Sequence, residues 1–177
     1  MAQTTSLYTI TIPQFIKTLT ALRALVEKAQ AHAATKKTER LDFESALLND
    51  RLVFDQFPFV RQIQIAADNA KNSAARLGGV DVPKFEDNEQ TFGELLARLD
   101  KTIEFLKTVK PADIDGKEDV KVSLPYWGGK SMNGLDYVLN YLIPNFYFHA
   151  TTAYDILRKN GISIGKGDYI GALPFAE

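Results

Sequence analysis

The stretch Leu142-Ile-Pro144-Asn145-Phe-Tyr-Phe-His149-Ala-Thr-Thr152-Ala-Tyr154-Asp-Ile-Leu-Arg-Lys-Asn-Gly161 decides the fold. It reads as an apolar helix, begun upstream near Asn133 or Gly134 and stopped at Asn160 by Gly161. Asn145, His149 and Thr152 recur at steps of four and three, which puts them on one face. A helix this apolar belongs inside a packed bundle, so the polar trio must face an interior or a pocket, where each group needs a partner. Pro144 cannot donate a backbone hydrogen bond, so a kink or a wide turn is expected beside them.

Three further helices surround it. The first runs from about Pro13 to about Ala34, with Phe15, Ile16, Leu19, Leu22, Leu25 and Val26 at helical spacing. Thr35-Lys-Lys-Thr-Glu-Arg40 then reads as a polar loop, and Leu41 to Leu52 is a short helix or an irregular turn. The second helix starts near Pro58 and ends at Gly78-Gly79; its stripe of Val60, Ile63, Ala67, Ala70, Ala74 and Leu77 predicts close helix packing. The third carries Phe92, Leu95, Leu96, Leu99, Ile103 and Leu106, with Asp87 or Asn88 as cap and Pro111 as stop. Val120, Val122 and Leu124 alternate like a strand, and Trp127-Gly-Gly-Lys130 turns the chain back. The tail from Ile162 contains Tyr169, Ile170, Leu173 and Phe175, enough to dock on the bundle or on a partner chain. The expectation is a single domain over residues 1–177: an all-α antiparallel four-helix bundle with a small hairpin between the third and fourth helices.

Composition narrows the chemistry. Apolar residues make up 45% and charged residues 24% of 177, as in ordinary globular proteins. The absence of cysteine excludes disulfides, thiolate catalysis and cysteine-ligated metal sites. A net charge of −1 offers no long-range attraction for nucleic acid or an anionic membrane. The start of the chain lacks the basic and apolar run of a secretory signal, and the apolar region Leu135–Phe148 is interrupted by Asp136, Asn140, Pro144 and Asn145. A cytoplasmic protein is expected.

His149 is the leading candidate site residue. A bundle can bring Gln64 and Asp68 of the second helix to meet Asn145 and His149, and an aspartate there would raise the histidine pKa. Tyr154 and the aromatic run Phe146-Tyr-Phe148, with Tyr141, could stack on a ligand ring, although aromatics on a bundle helix are far more often core filling. His32, at the end of the first helix, reads as exposed. With two histidines in the chain, a three-histidine metal site is impossible. His149, Asn145 and Asp68 form a weak donor set, because neutral amides are poor ligands for zinc. Arg23, Lys28, Arg61, Lys71 and Arg76 read as solvated faces, and Glu86 with Asp87 as helix-capping charge. Gly161-Ile-Ser-Ile-Gly-Lys-Gly167 lacks the spacing and the hydroxyl of a phosphate loop, and no serine has a hydrolase setting.

Three segments carry a family resemblance: Phe57-Pro-Phe-Val-Arg-Gln62-Ile-Gln64-Ile-Ala-Ala-Asp68-Asn-Ala-Lys71 with Ala75-Arg-Leu-Gly78, the Pro144–Arg158 helix, and Gly165-Lys-Gly-Asp-Tyr-Ile-Gly171. On these the chain resembles an uncharacterised bacterial branch of the DinB/YfiT-like bundle superfamily. The resemblance implies a four-helix bundle and a homodimer. The metal-binding members carry one histidine on the second helix and a His-x-x-x-His pair on the fourth. Aligned that way, His149 falls on the second of the pair and Asn145 on the first, with Gln64 or Asp68 at the level of the remaining ligand. Two of three ligands are replaced, so the resemblance implies a pocket more than a metal centre. The expected function is binding of a small molecule around His149, Asn145, Asp68, Gln64 and Tyr154, with no cofactor. The alternatives are a transferase or hydrolase, of the thiol-transferase kind, using a divalent zinc, nickel or manganese ion at an atypical site, and a structural homodimer.

Overall fold

A computed structural model describes residues 4–36 and 42–175. Four long helices form the bundle: α2 (Ile12–Lys36), α4 (Phe59–Gly78), α5 (Phe92–Thr108) and α8 (Ile143–Lys159). Short helices decorate it: α1 (Leu7–Ile10), α3 (Phe43–Leu48), α6 (Pro111–Ile114), α7 (Gly134–Tyr137) and α9 (Lys166–Ile170). Strands β1 (Lys121–Ser123) and β2 (Ser131–Asn133) pair antiparallel with Val122 opposite Met132, which gives the hairpin expected from the alternating valines. No helix among the described residues is long and apolar enough to cross a membrane.

The helices pack as two antiparallel pairs. In α2/α5, Arg23 bonds Asp100 near the middle while the Tyr8 amide bonds Asp115 at one end. In α4/α8, Gln62 meets His149 and Arg76 meets Tyr137. Between the pairs, α4 and α5 run parallel: Phe59 packs near Phe92 and Asp68 meets Arg98. A parallel neighbour requires the chain to travel back along α4, roughly 30 Å for 20 residues. The extended segment Gly79–Thr91 makes that return, within its reach of roughly 40 Å.

Local signals explain the ends. Gly79 closes α4 at φ +66°, and Gly78 lies so close to the Asp113 carbonyl that a Cβ would come within 2.3 Å of it. Ala66, Ala67, Ala70 and Ala74 are fully buried between α8 and α5, as the alanine stripe predicts. The cap of α5 is Thr91, reciprocated by Glu94, and not Asp87 or Asn88. Both earlier residues sit on the return segment. Thr35 and Lys36 extend α2 beyond its expected end, and residues 37–40 of the expected loop lie outside the described residues. The undecided stretch after Leu41 resolves as α3, capped by Asp42. The tail docks on its own bundle through α9, where Lys28 pairs with Asp168 and Tyr169 packs on Tyr154.

Before Pro144 the fourth helix widens into one π-turn, Val138–Leu142, in which the Ile143 amide bonds the Val138 carbonyl five residues back. Proline has no N–H for the Asn140 carbonyl, and the wider turn absorbs that loss without ending the helix. This is the wide turn expected there.

Candidate functional site

The α4–α8 seam opens into a cleft of about 400 Å³. On the α4 side, Arg61, Ile65, Asn69, Asn72 and Arg76 follow one another at steps of three and four, with Asp68 beside Asn69, so one helical stripe forms a wall. On the α8 side, Tyr141, Asn145 and His149 recur every four residues and form the other. Phe57 and Tyr126, both exposed, stand at the rim. The π-turn sets the orientation of Tyr141 relative to Asn145 and His149. Such turns recur at functional sites.

His149 is buried, and its Nδ1 lies 2.7 Å from the Gln62 Oε1. The orientation of that amide is fixed on its other side, because the Gln62 Nε2 donates to the Phe57 carbonyl at 2.9 Å. The oxygen must therefore face the ring, and Nδ1 carries the proton. Nε2 is left with its lone pair on the cleft, without a partner among the described residues. Burial, and secondarily the nearby Arg61 guanidinium, pushes the His149 pKa down to about 4. At neutral pH the cleft is thus lined by a neutral imidazole of fixed tautomer, able to accept a hydrogen bond or a proton.

Two other groups on the cleft are incompletely satisfied. Asn69 is buried, and among the described residues its Nδ2 has no hydrogen-bond partner. An orphaned donor of this kind costs about 1–3 kcal/mol unless a water or ligand meets it. Arg76 bonds only the hydroxyl of buried Tyr137, at 3.2 Å. Among the described residues no carboxylate pairs with it. Tyr126 and Tyr141 share a hydroxyl–hydroxyl bond, and the Asn145 amide reaches Tyr141 at 3.5 Å.

The remaining charges close on one another beside α5. Buried Arg98 meets Asp68, Asp87 and Glu89, each at 2.8 Å. Buried Lys71 pairs with Asp68 at 3.2 Å, and both cations lie over the Phe85 ring. Gln64 donates to Glu89 at 2.7 Å and accepts from Arg61, which also pairs with Asp87. Burial would raise the Asp87 carboxyl, but Arg61 and Arg98 hold it below the usual carboxylate range. This network pins the return segment to α4 and α5.

The expected site is therefore corrected in several places. His149, Asn145 and Asp68 do line one cleft. Gln64 does not; it faces α5, and Gln62, two residues earlier and so on the other flank, is the partner of His149. Asp68 makes no bond to His149, and the imidazole pKa is lowered, not raised. Tyr154 lies against Tyr169 on the tail. Thr152 spends its hydroxyl on the Phe148 carbonyl of its own helix. Arg61, Lys71 and Arg76 are not solvated faces, Glu86 and Asp87 do not cap α5, and His32 is half-buried against Phe43. Arg98, absent from the expectation, had a legible signal: it falls three after Leu95 and one before Leu99, on the apolar face of α5.

A divalent metal does not fit this cleft. Among the described residues no three histidine or carboxylate groups converge on a common point. Asp68 is already held by two cations, Asn145 is a neutral amide, and Arg61 and Arg76 line the same cleft, where their charge repels a further cation.

Fold and cleft together define a helical-bundle protein with a buried, neutral histidine at the α4–α8 seam. A model of a domain of unknown function, DUF1993, matches residues 7–170, and the chain belongs to that family. It is similar to a crystal structure described as a DinB family member protein from Shewanella denitrificans: 43% identity, 97% of this chain and 95% of the other covered, TM-score 0.88. No curated protein matches the chain. The DUF1993 family is thereby tied to the DinB-like bundles.

Proposed function

We propose that the α4–α8 cleft binds a small organic molecule, with His149 as its recognition centre. The observation that carries this reading is the chain Phe57 carbonyl–Gln62–His149, which holds the proton on Nδ1 and leaves Nε2 facing the cleft, while burial keeps the ring neutral. A histidine serving only the core would have both nitrogens satisfied within the protein. Here one nitrogen is held by the framework and the other is offered to a hydrogen-bond donor, an arrangement that suits binding and also proton abstraction. The metal-dependent transferase reading loses support from the donor set and the two arginines. The homodimer reading rests on exposed Phe54 and Phe148, whose burial in a second copy would remove apolar surface from water; sedimentation as a monomer at micromolar concentration would reject it.

A ligand-detected NMR screen of polar aromatic fragments, run on wild type and on His149→Ala, tests the binding reading. Hits that compete for one site and vanish in the folded variant are expected. Hits unaffected by the substitution would place recognition elsewhere and overturn it. Metal content of tag-free protein, measured alongside, is expected at background in both; one equivalent lost on substitution would restore the metal reading.

A further inference from the structure

We infer that the ligand of this cleft is an organic oxyanion, a carboxylate or a phosphate ester, with its charge toward Arg76 and a hydrogen-bond donor toward His149. The inference rests on the binding reading above and adds the chemical class.

Charge pairing around the seam carries the argument. Arg61, Lys71, Arg76 and Arg98 face three carboxylates, Asp68, Asp87 and Glu89. Arg98, Lys71 and Arg61 each have an ionic partner. Among the described residues Arg76 has only a neutral phenol, itself buried. The excess positive charge of the network therefore sits at the Arg76 end of the cleft, in a chain whose overall charge is −1. Among the described residues the one carboxylate on the cleft wall, Asp68, is already neutralised by two cations and leaves that excess in place.

A second, independent group points the same way. Asn69 Nδ2 is a buried donor without a partner on the same wall of α4, about two turns before Arg76. It requires an acceptor, which an oxyanion supplies. A guanidinium offers two parallel N–H groups that match a carboxylate or phosphate edge. At the other end of the cleft the polarity reverses, because His149 Nε2 is an acceptor. His149 on α8 and Tyr141 in the π-turn before it are eight residues apart, roughly 12 Å along the helix axis. The complementary molecule is thus extended, acceptor-rich at one end and carrying a hydroxyl or amine at the other. Phe57, Tyr126 and Tyr141 at the rim favour an aromatic or other flat carrier.

The test uses the full chain, labelled with nitrogen-15, and four headgroup probes: benzoate, phenyl phosphate, benzamide and benzylamine. Benzoate or phenyl phosphate is expected to shift the Arg76 and Asn69 side-chain resonances, and which of the two binds tighter separates carboxylate from phosphate chemistry. Benzamide is expected to bind at least tenfold more weakly, and benzylamine not to bind. Arg76→Gln should remove the preference for the anions while Arg76→Lys keeps part of it. Should Arg76→Gln fail to fold, Asn69→Asp, which adds a negative charge to the same wall, should abolish anion binding. Benzamide binding as tightly as benzoate would overturn the oxyanion inference and leave the binding reading standing. Failure of all four probes to perturb any cleft resonance would overturn both.

Discussion

The two flanks of α4 place polar side chains in the same interior and treat them in opposite ways. Toward α5, Gln64, Asp68 and Lys71 are closed into a network by Arg98, Glu89 and Asp87. Toward α8, Gln62 satisfies half of His149, and then pairing thins: among the described residues Nε2 and the buried Asn69 Nδ2 have no partner, and Arg76 has a neutral phenol and no counter-charge. Both flanks pay desolvation; on the α5 side every charge has a counter-charge, with Arg98 Nε the one donor left over among the described residues, whereas on the α8 side Arg76 has none. Polarity alone therefore does not mark a site in a bundle. Incomplete polarity does.

The largest break in this comparison is Arg98→Met. It would leave Glu89, Asp87 and Asp68 without their shared cation and unpin the return segment. Loss of one partner from a buried ionic group destabilises by about 3–5 kcal/mol, and the half-exposure of Asp68 and Asp87 moves the expectation to about 3 kcal/mol. In a chain of this size that lowers the melting temperature by roughly 10 °C, measured by calorimetry. A shift of less than about 3 °C would mean that the α5 flank is not the structural one.

Next comes pH. His149 titrates near 6.5 when unfolded and near 4 in the folded protein. Between those values the unfolded chain binds more protons, so stability rises with pH across this window and is lost as pH falls from 6.5 toward 4. The full effect is at most about 3 kcal/mol. Urea denaturation of wild type and His149→Gln at pH 7.5, 6 and 5 reads it as the difference between the two curves. If the variant retains the same acid sensitivity as wild type, the histidine is not buried neutral, and the argument for a free Nε2 fails with it.

His149→Ala at neutral pH is a milder perturbation. It strands the Gln62 Oε1 and enlarges an existing cleft, so a loss of about 1–2 kcal/mol is expected in urea denaturation. Gln62→Leu should match it in stability and free the ring to change tautomer, visible in the nitrogen-15 shifts of the imidazole. Retention of the Nδ1–H form in that variant would show that something other than Gln62 fixes the ring.

These contrasts also explain what could be read from residues alone. The four long helices were legible because periodicity, Gly79 and Gly161 fix them locally. So was the wide turn at Pro144, since a missing N–H has a local consequence. His149 was found because its polarity breaks an apolar face. Its partner was not, because Gln62 and Gln64 differ by two positions, about 160° apart around α4, and which flank meets α8 is a tertiary fact. The charges of α4 were misread for a related reason. Lys71 and Arg76 look solvated in one dimension; the return of Gly79–Thr91 covers Lys71 through Phe85, and α7 brings Tyr137 against the half-buried Arg76.

The smallest expected effect is the sharpest test of the comparison. Arg76 and Arg98 are the same residue type, and both contact α4 partners or belong to that helix. Arg98 is enclosed by three carboxylates, whereas Arg76 has one neutral hydrogen bond, which contributes about 1 kcal/mol or less. Removing its charge also relieves the local positive excess, which offsets part of that loss. Arg76→Gln should therefore shift the urea midpoint by the equivalent of less than about 1 kcal/mol. A loss as large as that of Arg98→Met would show that Arg76 holds the fold together, and the open flank of α4 would then have no claim to be kept open for a ligand.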